Sequence, residues 1–336
     1  MIISQTENKI LFKLFKQLGY EIIDISFLGK GEGSKIIRVD TNKENFCVKT
    51  ALFKERSKKV LNEANIRNKF IRYGIDCIPK PIYTDTSYFK HGAVIYEFIE
   101  GKIPDLNNRV YLKQFANILA EIHSQNLEIV SDGFGLYLKN IEFLKSIIKH
   151  HSNVYSHLMN EKIIQAMEDA QDELATLIDK RKADFTHGLN SLLHGDLSDN
   201  FFLDKNEKIW LIDWENSEYG DVVEEIISFI KNRGVNISNR KYFYQEYKKD
   251  LPEAKDIDFE RLEYLYSLPN PIFNICWGID QLDSNIKANL EPERKLRDLT
   301  STAMEWKQYF SFHTARDMIE GINQLFSYGK KLYIKT

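Results

Sequence analysis

Residues 192–215, LLHGDLSDNFFLDKNEKIWLIDWE, constrain the fold of this chain more than any other stretch. Phe201–Leu203 and Ile209–Ile212 are short apolar runs, and the polar residues 204–208 between them read as their turn, so the spacing predicts a β-hairpin. Asp196 precedes the first run and Asp213 follows the second. A hairpin therefore returns two carboxylates, 17 positions apart in the chain, to one pocket. Two such groups, each beside a buried apolar run, suit a proton acceptor and a ligand for a hard cation.

A chain of 336 residues is long enough for two lobes with sizeable cores. Hydrophobic content of 43% and charged content of 28% are ordinary for a soluble globular protein. The net charge of −3 and the scattered lysines and arginines argue against nucleic acid as the partner. Cys47, Cys77 and Cys276 are far apart and form no C-x-x-C pair, which fits a reducing compartment. The N-terminus lacks a signal-peptide pattern, and no run approaches the roughly 18 apolar residues of a membrane span. The expectation is a cytoplasmic enzyme with no membrane association.

Ile10, Leu11, Leu14, Phe15 and Leu18 fall at helical spacing, and Gly19 ends that helix. Residues 20–28, 35–40 and 45–50 read as a meander of three strands. Between the first two lies Gly29-Lys30-Gly31-Glu32-Gly33-Ser34, where glycines allow the backbone to offer N–H groups to phosphate oxygens. A plain glycine-rich hairpin turn predicts the same residues. Lys49 sits on the third strand among residues that want burial, so an anionic partner is expected for it. A helix over residues 55–72 places Val60, Ala64, Arg67 and Ile71 on one side, with Glu63 adjoining and Glu55 at its start. Strands near residues 82–84 and 93–98 follow, the second breaking into Ile99-Glu100-Gly101.

From Leu106 helical periodicity dominates, with strands scarce outside the central hairpin. His123 ends an amphipathic helix and reads as structural, whereas His150, His151 and His157 do not share a face and read as solvated. Asp132-Gly133-Phe134-Gly135 reads as a polar loop, and Asp221 as a helix N-cap. The aromatic-rich last hundred residues read chiefly as core, with Trp277, Asp280 and Asp283 open to an acceptor role.

The 192–215 stretch resembles the catalytic loop and metal-binding strand of the phosphotransferase family that includes aminoglycoside, choline and related small-molecule kinases. There an H-G-D opens the loop, an Asn follows, and I-D-W-E or I-D-F-G closes the hairpin, as His194-Gly195-Asp196, Asn200 and Ile212-Asp213-Trp214-Glu215 do here. The loop departs in one respect. Kinase loops place the Asn five residues after the Asp, whereas Asn200 is four after Asp196. Counted back from Asp213, Asn200 holds the family position, so the loop is one residue short, and Asp199 becomes a second candidate oxygen ligand.

The resemblance implies a two-lobe protein-kinase-like α+β fold. A small antiparallel-sheet, nucleotide-binding lobe would span residues 1–100, and a large, mainly helical lobe with the catalytic loop and acceptor site residues 101–336. It implies a phosphotransferase that moves the γ-phosphate of ATP or GTP to a hydroxyl of a small molecule with the help of Mg²⁺. In that scheme Asp196 orients and deprotonates the acceptor, Asp213 binds Mg²⁺ and Asn200 the second ion. Lys49, held by Glu63 in Asn62-Glu63-Ala64-Asn65-Ile66-Arg67, positions the α- and β-phosphates. Gly31, Gly33 and Ser34 form the phosphate turn, and Glu97, Phe98 and Ile99 the base-reading hinge. Asp199, Glu215, Trp277 and Asp280 stand on the acceptor side. His194 supports the loop, and Glu225 takes the place of the acid that caps it. The acceptor stays open among aminoglycoside-like antibiotics, choline-like amino alcohols and sugars. The short loop also admits a nucleotide-binding regulatory pseudokinase without transfer activity.

Overall fold

The computed structural model describes residues 3–31, 33–288 and 292–333. Glu32 of the glycine turn lies outside the described residues. Helix α1 (Gln5–Gln17) starts at a capping box, in which Ser4 accepts from the Glu7 amide and Glu7 accepts from the Ser4 amide. Leu11, Leu14 and Phe15, at helical spacing, are its buried face.

Strands β1 (Ile22–Lys30), β2 (Ser34–Thr41), β3 (Asn45–Ala51), β4 (Pro81–Asp85) and β5 (Ala93–Glu97) form one antiparallel sheet in the order β1-β2-β3-β5-β4. Side chains alternate across it. Phe46 and Val48 of β3 join Ile37, Val39, Ile95 and the α1 residues in one core. Ala51 joins Val94, Tyr96 and the Val60 and Ala64 side of α2 (Lys54–Arg72) in another, with Cys47 against it. Lys49, two positions from Cys47 and from Ala51, thus lies on the α2 face of the sheet.

Strand β6 (Gly101–Lys102) is followed by α3 (Arg109–Ser124), β7 (Glu128–Val130), α4 (Gly133–Val154), α5 (Glu161–Lys180) and β8 (Gly188–Leu193). The expected hairpin is present as β9 (Phe201–Asp204) and β10 (Ile209–Leu211), paired Leu203 to Ile209 and Phe201 to Leu211. It is tied to the N-terminal part of the chain, because β6 pairs with β9 and the Leu211 amide donates to Cys77 O at 2.8 Å. Beyond it, β11 (Glu218–Asp221) pairs with β8, Leu193 opposite Glu218, and leads into α6 (Val222–Asn232). This ribbon was not legible as strand, since its partners are 25 residues apart and neither run alternates cleanly. Helices α7 (Ile237–Asp250), α8 (Phe259–Ser267), α9 (Asn270–Ala288), α10 (Pro292–Glu305) and α11 (Phe312–Tyr333) complete the chain.

The chain falls into two compact units. One comprises Met1–Glu128, Asn190–Glu225 and Phe229–Lys255, and so carries the five-stranded sheet and the β9–β10 hairpin together. The other comprises Ile129–Leu189, Ile226–Ser228 and Asp256–Thr336 and is helical. Within it Asp132 is not simply in a loop: it caps α4, accepting from the Gly135 amide at 2.9 Å. Asp184, nearly buried, is paired with Arg181 and Arg261. Tyr266, Trp306 and Phe310 are buried in this unit, and Phe243, Tyr244 and Tyr247 in the first, whereas Tyr264, Phe273 and Trp277 are exposed.

Candidate active site

Lys49 is the centre of a buried charge cluster. Its ammonium donates to Glu63 Oε2 at 2.8 Å and to Asp213 Oδ1 at 2.6 Å, and stands 3.0 Å from Glu215 Oε2. Burial alone would lower the pKa of Lys49, but Glu63, Asp213 and Glu215 overcome it and raise it. Glu63 is fully buried on α2. Burial pushes its carboxyl up, yet the cations Arg67 and Lys49 hold it down at about 2. It divides its oxygens, Oε2 to Lys49 and Oε1 to Arg67, one turn along the same helix. Arg67 is itself buried, donates to Pro79 O at 3.3 Å and lies 3.9 Å from the centre of the Tyr96 ring. The sequence placed Arg67 on the buried face without a role; the Glu-to-Arg i,i+4 spacing was the available signal.

Asp213 has a left-handed backbone, φ 61° and ψ 62°, which Asp tolerates better than most residues but at a cost of about 1–3 kcal/mol. Its neighbours enforce the turn. Trp214 is fully buried, 4.8 Å from Phe70 and 4.5 Å from His194 between ring centres, so Asp213 and Glu215 on either side emerge next to Lys49. The Ile212 amide donates to Asn200 O at 2.9 Å, which sets Asn200 across the base of the hairpin from Asp213 despite the short loop. Asn200 Nδ2 donates to Asp196 O at 2.8 Å.

The loop itself is braced from beneath. His194 is buried and receives the Asp196 amide on Nδ1 at 3.3 Å, so its proton is on Nε2, which donates to Ile212 O at 2.7 Å. Burial lowers its pKa, and a neutral ring in two main-chain bonds is a strut, not a base. The Gly195 amide donates to Glu225 Oε1 at 2.8 Å, and Glu225 Oε2 is 2.9 Å from His123 Nε2, whose Nδ1 is 2.8 Å from the Tyr247 hydroxyl. Tyr247 was a further residue the sequence did not reveal, because it is 124 positions from His123. Asp221 caps α6 through the Val223 amide at 3.0 Å. Asp196 keeps an open side, yet burial raises its carboxyl, and the charge of Asp213 raises it further against His194 and Asn200.

Gly195 is fixed three ways. It has φ +79°, donates to Glu225, and a Cβ there would fall 2.3 Å from Asn216 O. Gly195→Ala is expected to lower stability by about 2 kcal/mol or more and to displace Asp196. Urea denaturation beside a steady-state assay measures both effects.

The glycine turn is closed by the Gly31 amide donating to Ser34 O and the Leu52 amide to Gly33 O, each at 2.9 Å, with the Ser34 side chain buried. At the end of β5 the Glu97 amide donates to Lys80 O at 3.1 Å and the Phe98 amide to Asn45 O at 3.0 Å. The Glu97 carboxylate accepts from the Lys80 amide at 2.7 Å. Asp199 is 82% exposed and paired with Arg233 at 2.5 Å. Trp277 and Asp280 belong to the helical unit. Trp277 is half exposed under Lys295, and Asp280 accepts from the Tyr155 hydroxyl.

Carboxylate oxygens of Glu63, Asp213 and Glu215 lie within 4.8 Å of one another. Glu215 Oε2 is buried without hydrogen-bond geometry to any neighbour. Lys49 already fills the centre of this trio and Glu63 is fully buried between Lys49 and Arg67, so Asp213, whose side chain is 36% exposed, is the carboxylate here that fits a hard cation such as Mg²⁺. Among the described residues no helix is long and apolar enough to cross a membrane.

The chain is similar to several known proteins. A protein LicA homolog of Mycoplasma capricolum is 27% identical over 174 residues, 51% of this chain and 62% of that protein, so less than two thirds of its length is spanned. Choline kinase LicA from Streptococcus pneumoniae superposes with a TM-score of 0.53 at 18% identity, over 96% of this chain and 99% of that one. The GDP complex of wild-type aminoglycoside 2′-phosphotransferase-IIIa gives 0.52 at 14%, over 96% and 98%. Choline kinase from Cryptosporidium parvum Iowa II gives 0.55 at 13%, over 98% and 97%. These likenesses establish the two-lobe, protein-kinase-like α+β fold. Residues 24–257 match the phosphotransferase enzyme family (APH), and with the lysine, the H-G-D loop and the I-D-W-E turn gathered on one unit the chain belongs to that family.

Proposed function

We propose that the protein is a small-molecule kinase that transfers the γ-phosphate of ATP or GTP to a hydroxyl group. The observation that carries this reading is the convergence of Lys49, Glu63 and Asp213, with Asn200 linking the Asp196 loop to Ile212 next to Asp213. Phosphoryl transfer asks the protein mainly to position its reactants and neutralise charge. Asp196 orients the acceptor hydroxyl and takes its proton. Lys49, held by Glu63, contacts the α- and β-phosphates. The turn at Gly31, Gly33 and Ser34 covers them. With the Glu97 and Phe98 amides already engaged, a base edge is left to the Ile99 amide and the carbonyls of this segment.

Asp213 and Asn200 would hold Mg²⁺, with Glu215 beside them, and the bound ion would neutralise phosphate charge. Asn200 suits this because its amide nitrogen is engaged at Asp196 O and its oxygen is the remaining donor. In this reading the chain hinges near residue 100, between a nucleotide-binding lobe of residues 1–100 and a helical lobe of residues 101–336. Asp199, Trp277 and Asp280 remain candidates for acceptor recognition. The acidic run from Asp196 to Glu225, with Lys205 and Lys208 as its only bases, favours a cationic acceptor. The names of the similar proteins, choline kinases and an aminoglycoside phosphotransferase, are the reason to try amino alcohols of the choline type and aminoglycosides first.

The test is to incubate the protein with Mg²⁺, ATP or GTP, and a panel of choline, ethanolamine, aminoglycosides and neutral sugars, and to follow phosphorylated product. A cationic alcohol is expected to turn over at least about tenfold faster than a neutral sugar, one favourable charged contact. Steady phosphate release indifferent to every alcohol would make it a hydrolase. Metal-independent nucleotide binding with no product would favour a regulatory module.

A further inference from the structure

Arg56 stands in the first turn of α2, outside every motif described above. Its side chain lies across Gly33 so closely that a Cβ there would come within 2.5 Å of Arg56 Cγ and Cδ. Gly33 is not among the glycines with positive φ, so it is the approach of Arg56, and not a left-handed backbone, that excludes a side chain. The guanidinium reaches 3.8 Å from Glu215 Oε1, while the other oxygen of that carboxylate faces Lys49 at 3.0 Å. One turn further along, Lys59 donates to Asn216 Oδ1 at 3.0 Å, which ties this end of α2 to the turn that carries Glu215. A second cation therefore spans the gap between the glycine turn and the acid beside the catalytic lysine.

We propose that Arg56 is a further phosphate-binding residue, gripping the terminal phosphates of the nucleotide between the glycine turn and Lys49. The proposal rests on the kinase reading given above. A partly exposed ion pair of 3.8 Å contributes little. A guanidinium with phosphate, by contrast, makes paired, charge-assisted hydrogen bonds. Glu215 then serves as one resting partner of Arg56 and is released toward the cation site when nucleotide enters.

Calorimetric titration of ATP, ADP and adenosine, or the guanine series where the wild-type protein prefers it, into wild type, Arg56→Ala, Arg56→Lys and Lys49→Ala tests this. Arg56→Ala is expected to weaken ATP binding by about tenfold to a hundredfold, the range for one charged hydrogen-bonded contact, and to leave adenosine unchanged. Arg56→Lys should recover part of the loss. ATP affinity within about twofold of wild type in Arg56→Ala would overturn the proposal. So would an adenosine affinity that falls as far as that of ATP, the mark of a merely structural defect. Should the alanine variant not fold, Arg56→Lys and Arg56→Gln carry the comparison, since both keep the aliphatic packing on Gly33. If Arg56→Ala binds normally while Lys49→Ala does not, only the role of Arg56 fails; if wild type binds no nucleotide, the kinase reading fails and this proposal with it.

Discussion

Asp196→Asn is expected to lower kcat by about 10²–10⁴, the range for removing a positioned general base, while nucleotide affinity changes little. The substitution keeps the shape of the side chain and leaves the loop's supports intact, since the Gly195–Glu225 and His194–Ile212 bonds do not involve the Asp196 carboxylate. A pH profile separates the base from a mere spacer. Burial, then the charge of Asp213, raises the Asp196 carboxyl above its ordinary 3.8. Because the base must be deprotonated, kcat/KM of the wild type should fall as pH drops through that raised value. The asparagine variant should lose this acidic limb along with its rate. Turnover that survives in Asp196→Asn with the limb in place would remove Asp196 from the chemistry.

The second large effect is on stability. Arg67→Ala leaves Glu63 fully buried with Lys49 as its remaining cation, and breaking a buried pair from one side costs about 3–5 kcal/mol. Arg67→Lys should recover only part, since an ammonium cannot reach Glu63 and Pro79 O together while covering Tyr96. Denaturant unfolding of the single variants and of Arg67→Ala with Glu63→Ala, read as a double-mutant cycle, measures the coupling. The pH dependence has a definite sign. Glu63 has a folded pKa lowered from 4.5 to about 2, so its contribution is fully present above pH 4.5 and is lost as pH falls toward 2. Glu63→Gln should remove that component of the acid sensitivity.

These two predictions draw on different parts of the molecule's legibility. The hairpin, the paired aspartates and the strand lysine could be read from the chain because each is a local pattern: apolar runs with a polar turn, and a lysine where burial is wanted. Glu63 was separable from Glu55 only through resemblance, since both are glutamates on one amphipathic helix. Arg56 and Arg67 were visible as residues but not as participants. Glu63 is only four positions from Arg67, but Tyr96 lies 29 positions from Arg67 and Glu215 lies 159 from Arg56.

What the sequence determined by itself was therefore what short-range patterns carry: the individual N-terminal strands and the α2 helix, the hairpin, and the order of the family motifs, whereas the joining of those strands into one sheet of order β1-β2-β3-β5-β4 was seen only in the structure. Tertiary structure alone decided that Lys49 meets three carboxylates at once, that Trp214 buries itself and turns Asp213 and Glu215 toward the lysine, and that Glu225, His123 and Tyr247 form one support under Gly195. The reason is physical. Hydrophobic spacing fixes which face of an element is buried, but a buried charge settles only where several distant elements together supply its counter-charges, and no local run of residues encodes that meeting.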